Sequence, residues 1–157
     1  MNETLAKFMT EEEFNSLNEK EQKAVEKDSS LYRSVFNWTY LTLDLRSENA
    51  VRTFADRVDW NIVSNFVGNF SDKFFEDFKD KLNWMNVIVR NTLSKDKLLK
   101  YMDYINWETA SAFQDNIDEE VIEAVMATNH KDEIDWIRLF IHHKFNEEFM
   151  KKYANLV

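Results

Sequence analysis

The chain has 157 residues, no cysteine, no proline, one glycine and a formal net charge of −9. The lack of cysteine excludes disulfides and cysteine metal sites, and a single glycine excludes glycine-rich phosphate loops. An acidic protein repels nucleic acid and anionic membranes, so we expect neither to bind it directly. The near absence of glycine and proline, and so of Asn-Gly turns, argues against β-hairpins and predicts an all-α protein.

The apolar content of 44% is sufficient for the core of a single domain spanning residues 1–157. No apolar run approaches the roughly 18 residues that a membrane span requires. Residues 1–9 lack the basic and then apolar pattern of a signal peptide. We therefore expect a cytoplasmic protein.

Residues 1–36 are predicted to form a helical N-terminal cap. Thr10 with Glu13, and Asn18 with Glu21, have the spacing of a capping box, in which each side chain bonds the other residue's backbone N–H. They predict two helices over about 10–17 and 18–28, with the inward residues Phe14, Leu17, Ala24 and Val25. A third helix begins at Ser29 or Ser30 and continues through Tyr32, Val35 and Phe36.

From residue 37 to 157 one pattern recurs about five times, centred on the five tryptophans. An Asp or Asn precedes each Trp, and we predict that it is a helix N-cap, because its short side chain accepts hydrogen bonds from the first free N–H groups. The pairs are Asn37-Trp38, Asp59-Trp60, Asn83-Trp84, Asn106-Trp107 and Asp135-Trp136. Apolar residues before each cap and four residues after it are spaced as hydrophobic staples: Phe36/Leu41, Val58/Val63, Leu82/Val87, Ile105/Ala110 and Ile134/Leu139.

A second cap follows each Trp after nine to eleven residues, and an apolar residue stands four positions beyond it. These caps are Ser47, Ser71, Ser94, Asp118 and Asn146. Gly68 falls in one intervening turn, where we expect a left-handed conformation, with Asn91 and Asn116 as equivalents elsewhere. Because a two-helix unit of about 23 residues cannot bury its own apolar face, we predict a right-packed, solenoid-like stack of short helical hairpins.

The repeat resembles short Trp-containing helical repeats in proteins of bacteriophages and large DNA viruses. Those repeats read roughly V-D-W-x-x-I, then L-S-x-x-F, then F-x-x-K-V-D-W. The matching text here is VDWNI at 58–62, FSDKF at 70–74 and FKDKLNW at 78–84. The resemblance covers about residues 36–157. It implies stacked hairpins and, for a phage-encoded chain, the host cytoplasm, but no particular activity.

The fourth unit departs from the pattern, because Asp118 and Trp136 are 18 residues apart where three earlier units have 13. The excess lies at 126–133. Either the second helix runs on, or a loop is inserted in which Thr128 or Asn129 caps a new turn. Charge is concentrated here too: from Asp103 to Asp135 there are ten acidic residues and one lysine, a net −9 that equals the charge of the whole chain.

This concentration of one sign predicts an acidic partner-binding surface, since a local charge excess attracts basic partners. The residues assigned to it are Asp115, Asp118, Glu119, Glu120, Glu123, Asp132 and Glu133. The alternative is a solvated acidic face with no partner, because acids at the start of a helix are favoured by the helix dipole in any case.

No arrangement of residues predicts catalysis, a metal or a cofactor. His142 and His143 are adjacent and diverge by about 100° on a helix, and His130 is isolated. We expect all three histidines at the surface. The serines at 47, 71 and 94 are caps with no base beside them, so we expect the protein not to be an enzyme.

Two functional hypotheses follow. The first is a non-enzymatic inhibitor whose carboxylates replace nucleic-acid phosphates in the basic cleft of a host nuclease or another nucleic-acid-binding protein. The phage resemblance makes an anti-CRISPR-like inhibitor its specific form. The second is a structural adaptor that oligomerises, for example as a homodimer, through an apolar C-terminal end around Phe149, Tyr153 and Val157.

Overall fold

The computed structural model describes residues 1–4, 6, 9–29, 42 and 45–157. This part of the chain is all-α, as predicted, with helices and turns but no strand. It divides into two compact units, Met1–Val63 and Ser64–Val157. The expected single domain stays a prediction. No helix within the described ranges combines the length and apolarity needed to cross a bilayer.

The first unit contains four described helices: α1 (Glu11–Asn15), α2 (Glu19–Lys27), α3 (Glu48–Thr53) and α4 (Trp60–Val63). Both predicted capping boxes form, with reciprocal bonds of 2.7–3.1 Å at Thr10 and Glu13 and of 2.9–3.0 Å at Asn18 and Glu21. The predicted inward residues Phe14, Leu17 and Val25 are buried, and Ala24 is half-buried. The helix predicted through Phe36, the Asn37-Trp38 repeat start and the Phe36/Leu41 pair lie outside the described residues.

The second unit contains seven described helices in alternating order. They are α5 (Asp72–Phe78), α6 (Trp84–Arg90), α7 (Lys95–Lys100), α8 (Trp107–Phe113), α9 (Glu119–Met126), α10 (Trp136–His142) and α11 (Glu147–Tyr153). The Trp helices pack in sequence, α6 on α8 and α8 on α10, while α7 packs on α9. This unit is therefore a stack of helical hairpins in which each hairpin covers the apolar face of its neighbour.

The nine predicted caps within the described residues are all confirmed. Each side-chain oxygen accepts a backbone N–H from the first helical turn at 2.8–3.3 Å. These caps are Ser47, Asp59, Ser71, Asn83, Ser94, Asn106, Asp118, Asp135 and Asn146. Short polar side chains therefore determine where each helix begins.

The four described staple pairs are buried, and so are Trp84, Trp107 and Trp136, whereas Trp60 is half-buried. Three indoles share one further contact, in which Nε1 donates to the backbone carbonyl five residues earlier. The distances are 3.2 Å for Trp60, 2.8 Å for Trp84 and 3.1 Å for Trp107. The indole thus fixes the connection from the preceding helix while its ring fills the core.

Polar side chains seven residues after a Trp join successive hairpins. Asn91 donates to the carbonyl of Ser64 at 2.8 Å and accepts from the N–H of Gly68 at 2.9 Å. Gln114, one hairpin later, donates to the carbonyls of Ile88 and Asn91 at 2.6 Å each and accepts from the N–H of Leu93 at 2.9 Å. Each amide therefore satisfies backbone groups that the preceding Trp helix leaves unpaired at its end.

His143 holds the same position after Trp136 and completes only part of this arrangement. Its ring forms a hydrogen bond with the backbone of Ser111, but Nε2 is buried and has no partner within the described structure. Burial lowers the pKa of His143, although the Ser111 bond acts in the opposite direction. The expectation that all three histidines lie at the surface is therefore wrong for this residue.

Gly68 does not have the left-handed conformation that we expected. No described residue has a positive φ, so Asn91 and Asn116 do not take that role either. The glycine is needed for close approach: a Cβ at this position lies 2.8 Å from the Cβ of Asn91. Without a side chain, its N–H reaches the Asn91 carboxamide of the next hairpin.

The long fourth unit contains an inserted turn and not a continued helix. α9 ends at Met126, and Thr128 accepts from the N–H of His130 at 3.1 Å to begin a 3₁₀ segment, Asn129–Glu133. Two more 3₁₀ segments, Met102–Tyr104 and Ala154–Leu156, follow α7 and α11. The insertion places His130 and Glu133 next to the start of α8.

Candidate partner-binding surface

The predicted acidic residues centre on α9, which begins at the Asp118 cap. Glu119 and Glu120 occupy its first turn, where the helix dipole favours carboxylates. Val121, Ile122 and Val125 face the core, which leaves the acidic residues on the remaining faces of the helix. α9 therefore presents carboxylates towards the two neighbouring hairpins as well as towards solvent.

Towards the preceding hairpin, Lys95 of α7 binds both Asp118 and Glu120, with its ammonium 2.7 Å from the Asp118 carboxylate. Burial opposes ionisation of Asp118, but the Lys95 bond and the backbone N–H of Val121 outweigh it and lower the pKa. The pKa of Lys95 is raised by its bond to Asp118 and then by that to Glu120. These two acids are thus part of an ion-pair bridge between hairpins.

Towards the following hairpin, Glu119 accepts two hydrogen bonds from Asn146, one from its backbone N–H and one from its side-chain amide, each 2.9 Å. Asn146 is the cap of α11, so Glu119 holds the start of that helix in place. The carboxylate is half-buried in this contact. Glu119 therefore has a structural partner within the chain.

Glu123 binds the same following hairpin through Lys152 at 2.7 Å and the hydroxyl of Tyr153 at 2.8 Å. The Lys152 bond, followed by the Tyr153 bond, lowers the pKa of Glu123. Two hairpins earlier, Glu76 pairs with Lys100 at 3.6 Å and accepts from Tyr101 at 3.3 Å. A Glu, a Lys and a Tyr at the same positions of the repeat therefore join α5 to the hairpin of α7, and α9 to the hairpin of α11.

The inserted turn forms a second acidic contact. His130, with only 14% of its side chain exposed, lies between Glu133 at 2.7 Å and Asp103 at 3.1 Å. The bond to Glu133 raises the pKa of His130, burial opposes it, and the bond to Asp103 adds to the rise. The other oxygen of Glu133 accepts from the N–H of Trp107 at 3.4 Å. His130 is therefore not the isolated surface histidine that we expected.

Of the seven predicted site residues, only Asp115 and Asp132 are exposed with no hydrogen bond or ion pair to the described residues. Glu108 in the first turn of α8, which the prediction did not include, is exposed and unpaired in the same sense. The structure therefore separates acids that join hairpins from acids that face solvent.

The residues that bind these acids, Lys95, Asn146, Lys152 and Tyr153, were not predicted as their partners. The spacing of the sequence contains a signal for Lys152 and Tyr153. A Glu stands five residues after one second cap, and a Lys and a Tyr stand six and seven residues after the next second cap. Glu76 with Lys100 and Tyr101, and Glu123 with Lys152 and Tyr153, both obey it.

A shallow cleft of about 220 Å³ lies between α9 and α11 and is lined by Glu119, Glu123, Asn146, Glu148, Phe149 and Lys152. Two of its three carboxylates, those of Glu119 and Glu123, already bind Asn146 and Lys152. No group of three His, Asp or Glu side chains that fits a metal ion occurs in the part of the chain that the structure describes.

Comparison with known proteins adds no relative. No protein-family model matches the chain, and no match was found among curated proteins or among solved structures.

Proposed function

We propose that the chain is a non-enzymatic protein-binding module that uses the acidic stretch 103–135 to bind a basic nucleic-acid-binding protein. The specific form that we favour is a phage-type, anti-CRISPR-like inhibitor, whose carboxylates occupy the cleft in which a nuclease holds nucleic-acid phosphates. The observation that carries the proposal is that this one stretch contains a net charge of −9, equal to that of the whole chain.

Internal ion pairs do not remove this excess. Lys95, Arg138 and Lys152 bring three positive charges from outside the stretch, which changes −9 to −6. Glu108, Asp115 and Asp132 keep their charges exposed and unpaired among the described residues. A locally negative surface of this kind raises the association rate of a basic partner and competes with its natural polyanion.

The paired acids make a poor test of this function. Reversing Glu119 or Glu123 removes contacts to α11, so a loss of inhibition in such variants does not separate binding from folding. The exposed acids avoid this problem, because changing them to amides removes charge and breaks no bond to the described residues. The informative variant is therefore E108Q/D115N/D132N.

The test measures inhibition of DNA cleavage by a panel of purified nucleases, RNA-guided and non-specific, with and without the chain. We expect the triple variant to inhibit about tenfold less, since three surface charges at about 0.5 kcal/mol each amount to about 1.5 kcal/mol. Inhibition by the wild type should also fall with salt, as the screening length shortens from about 10 Å at 0.1 M to about 3 Å at 1 M.

The matched control removes the same charge elsewhere, at exposed acids with no described partner: D56N/D72N/D96N. We expect this control to inhibit nearly as well as the wild type. Equal losses in both variants would show that only net charge matters, and no inhibition of any nuclease by the wild type would refute the inhibitor proposal.

A further inference from the structure

The apolar C-terminal end that the sequence predicts as a dimer contact is mostly covered by the chain itself. Phe149 and Tyr153 are buried, and the Tyr153 ring stacks on Trp136 with 4.7 Å between centroids. Of the three predicted residues only Val157 is exposed, so the expectation is wrong for the two aromatic residues. The inserted turn after α9, by contrast, brings three titratable side chains into direct contact.

The inserted turn is an addition to the repeat. Three earlier second caps each stand 13 residues before the next Trp, whereas Asp118 stands 18 residues before Trp136. The 3₁₀ segment Asn129–Glu133 lies within this longer connection. Hairpins also stack where the connection is short, so the stacking alone does not account for the insertion.

The backbone of the turn holds the His130 ring in place. Thr128 accepts a hydrogen bond from the N–H of His130 at 3.1 Å, and its hydroxyl donates to the carbonyl of Val125, in the last turn of α9, at 2.7 Å. Only 14% of the His130 side chain is exposed. Because the ring is anchored to α9 in this way, a change in its hydrogen bonds acts mainly on its partners.

Each ring nitrogen of His130 faces a carboxylate. Nδ1 lies 2.7 Å from Oε1 of Glu133, and Nε2 lies 3.1 Å from Oδ1 of Asp103. Ionised carboxylates only accept hydrogen bonds, so both contacts are hydrogen bonds only when both ring nitrogens carry a proton. The arrangement is therefore that of the imidazolium cation. A neutral imidazole has a single N–H and keeps just one of the two bonds.

The contact with Glu133 is the one that a neutral ring keeps. It is the shorter of the two, and the second oxygen of Glu133 accepts from the N–H of Trp107 at 3.4 Å, which holds this carboxylate in place. The Asp103 side chain is 85% exposed, so water replaces its bond at little cost. Loss of the proton from Nε2 therefore separates Asp103 from His130.

The other charges near the turn do not bind the ring. The 3₁₀ segment packs against α8 and α9. The charged groups on these elements, on the turn itself and directly after it are Glu108, Glu119, Glu120, Glu123, Lys131, Asp132 and Asp135. Within the described ranges, none of the seven forms a hydrogen bond or ion pair with His130. The bond to Glu133 raises the pKa of His130, burial opposes the rise, and the bond to Asp103 adds to it.

We propose that the inserted turn is a proton-operated switch. Protonated His130 joins the turn to the 3₁₀ segment Met102–Tyr104 by binding Glu133 and Asp103 together, and loss of the Nε2 proton releases Asp103 while the Glu133 bond remains. The net charge of the three side chains changes from −1 to −2 on release, so the acidic stretch becomes more negative as the pH rises. The switch is a property of the chain by itself and does not depend on the inhibitor function.

Nuclear magnetic resonance of the isotope-labelled full chain, followed from about pH 5 to about pH 9, tests the switch. We expect the His130 ring to titrate with a midpoint above the ordinary histidine value of about 6.5, and the carboxylate carbon of Asp103 to change with the same midpoint. The nitrogen shifts of the neutral ring should show the proton on Nδ1. A neutral ring protonated on Nε2, or an Asp103 carboxylate that does not follow the ring, would overturn the proposal.

The variants D103A and D132A separate a direct bond from general negative charge. Both remove an exposed aspartate close to His130, but only Asp103 bonds the ring. We expect D103A to lower the midpoint of the ring and D132A to leave it close to that of the wild type. E133Q should lower it furthest, because the Glu133 bond raises the pKa of His130 most. Equal midpoints in D103A and D132A, with helical circular dichroism intact, would rule out the switch.

Discussion

Replacing Gln114 with methionine should destabilise the protein more than its apolar character suggests. The two side chains have similar volume, and position 114 is only 1% exposed. The substitution removes the bonds to the carbonyls of Ile88 and Asn91 and to the N–H of Leu93. These groups lie at or beyond the end of α6, so no helical bond replaces them.

Each buried backbone group left without a partner costs about 1–3 kcal/mol. Two such groups at full cost and the half-buried Asn91 carbonyl at about half, less roughly 1 kcal/mol gained by burying the thioether, give about 2–6 kcal/mol. This is a large share of the roughly 5–15 kcal/mol that stabilises a domain. Q114M should therefore unfold at a much lower denaturant concentration than the wild type.

Urea unfolding followed by tryptophan fluorescence measures the difference, with an unchanged slope confirming that the denatured state is the same. Phe113→Ala, at the exposed neighbour, is the control and should change the free energy of unfolding by less than about 0.5 kcal/mol. A Q114M value within about 1 kcal/mol of the wild type would refute the reasoning, because it would mean that the three backbone groups need no side-chain partner.

Two further predictions concern pH and packing. The pKa of His130 is raised and that of His143 is lowered, so the two residues affect stability in opposite directions. The stability that His130 contributes is present at low pH and is lost as the pH rises through its folded pKa. The stability that His143 contributes is present above pH about 6.5 and is lost as the pH falls. Thermal unfolding of H130A should therefore lose the first dependence and that of H143Q the second, and H143Q should gain about 1 kcal/mol if the glutamine binds as Gln114 does. Gly68→Ala should cost about 1–3 kcal/mol by forcing Asn91 away, and full stability in denaturant would contradict the close approach.

The helix starts were predictable because the interactions that set them are local. The caps, the capping boxes and the staples each join residues within five positions of one another, so spacing alone reveals them. The same holds for Trp84, Trp107 and Trp136, whose burial follows from their place beside a cap and an apolar pair. The absence of proline and the single glycine then predicted the all-α class.

The roles of the acidic residues were not predictable in this way. Asp118, Glu119, Glu120 and Glu123 have the first-turn and surface positions of solvated acids, yet each bonds a residue 23–30 positions away. Only the stacking of hairpins brings Lys95 and Lys152 to them. The prediction of an acidic stretch therefore stands as a statement about charge, while the division into paired and exposed acids required the structure.

By itself the sequence determined the helical class, the repeating unit and the start of each helix in the described ranges, because a chain of short capped segments encodes these locally. Only the tertiary structure decided that Asn91 and Gln114 join hairpins, that Gly68 is needed for close approach, and that His130 lies between two carboxylates. The physical reason is that these contacts form across stacked hairpins, where the partner depends on how two helices are packed and not on neighbouring residues.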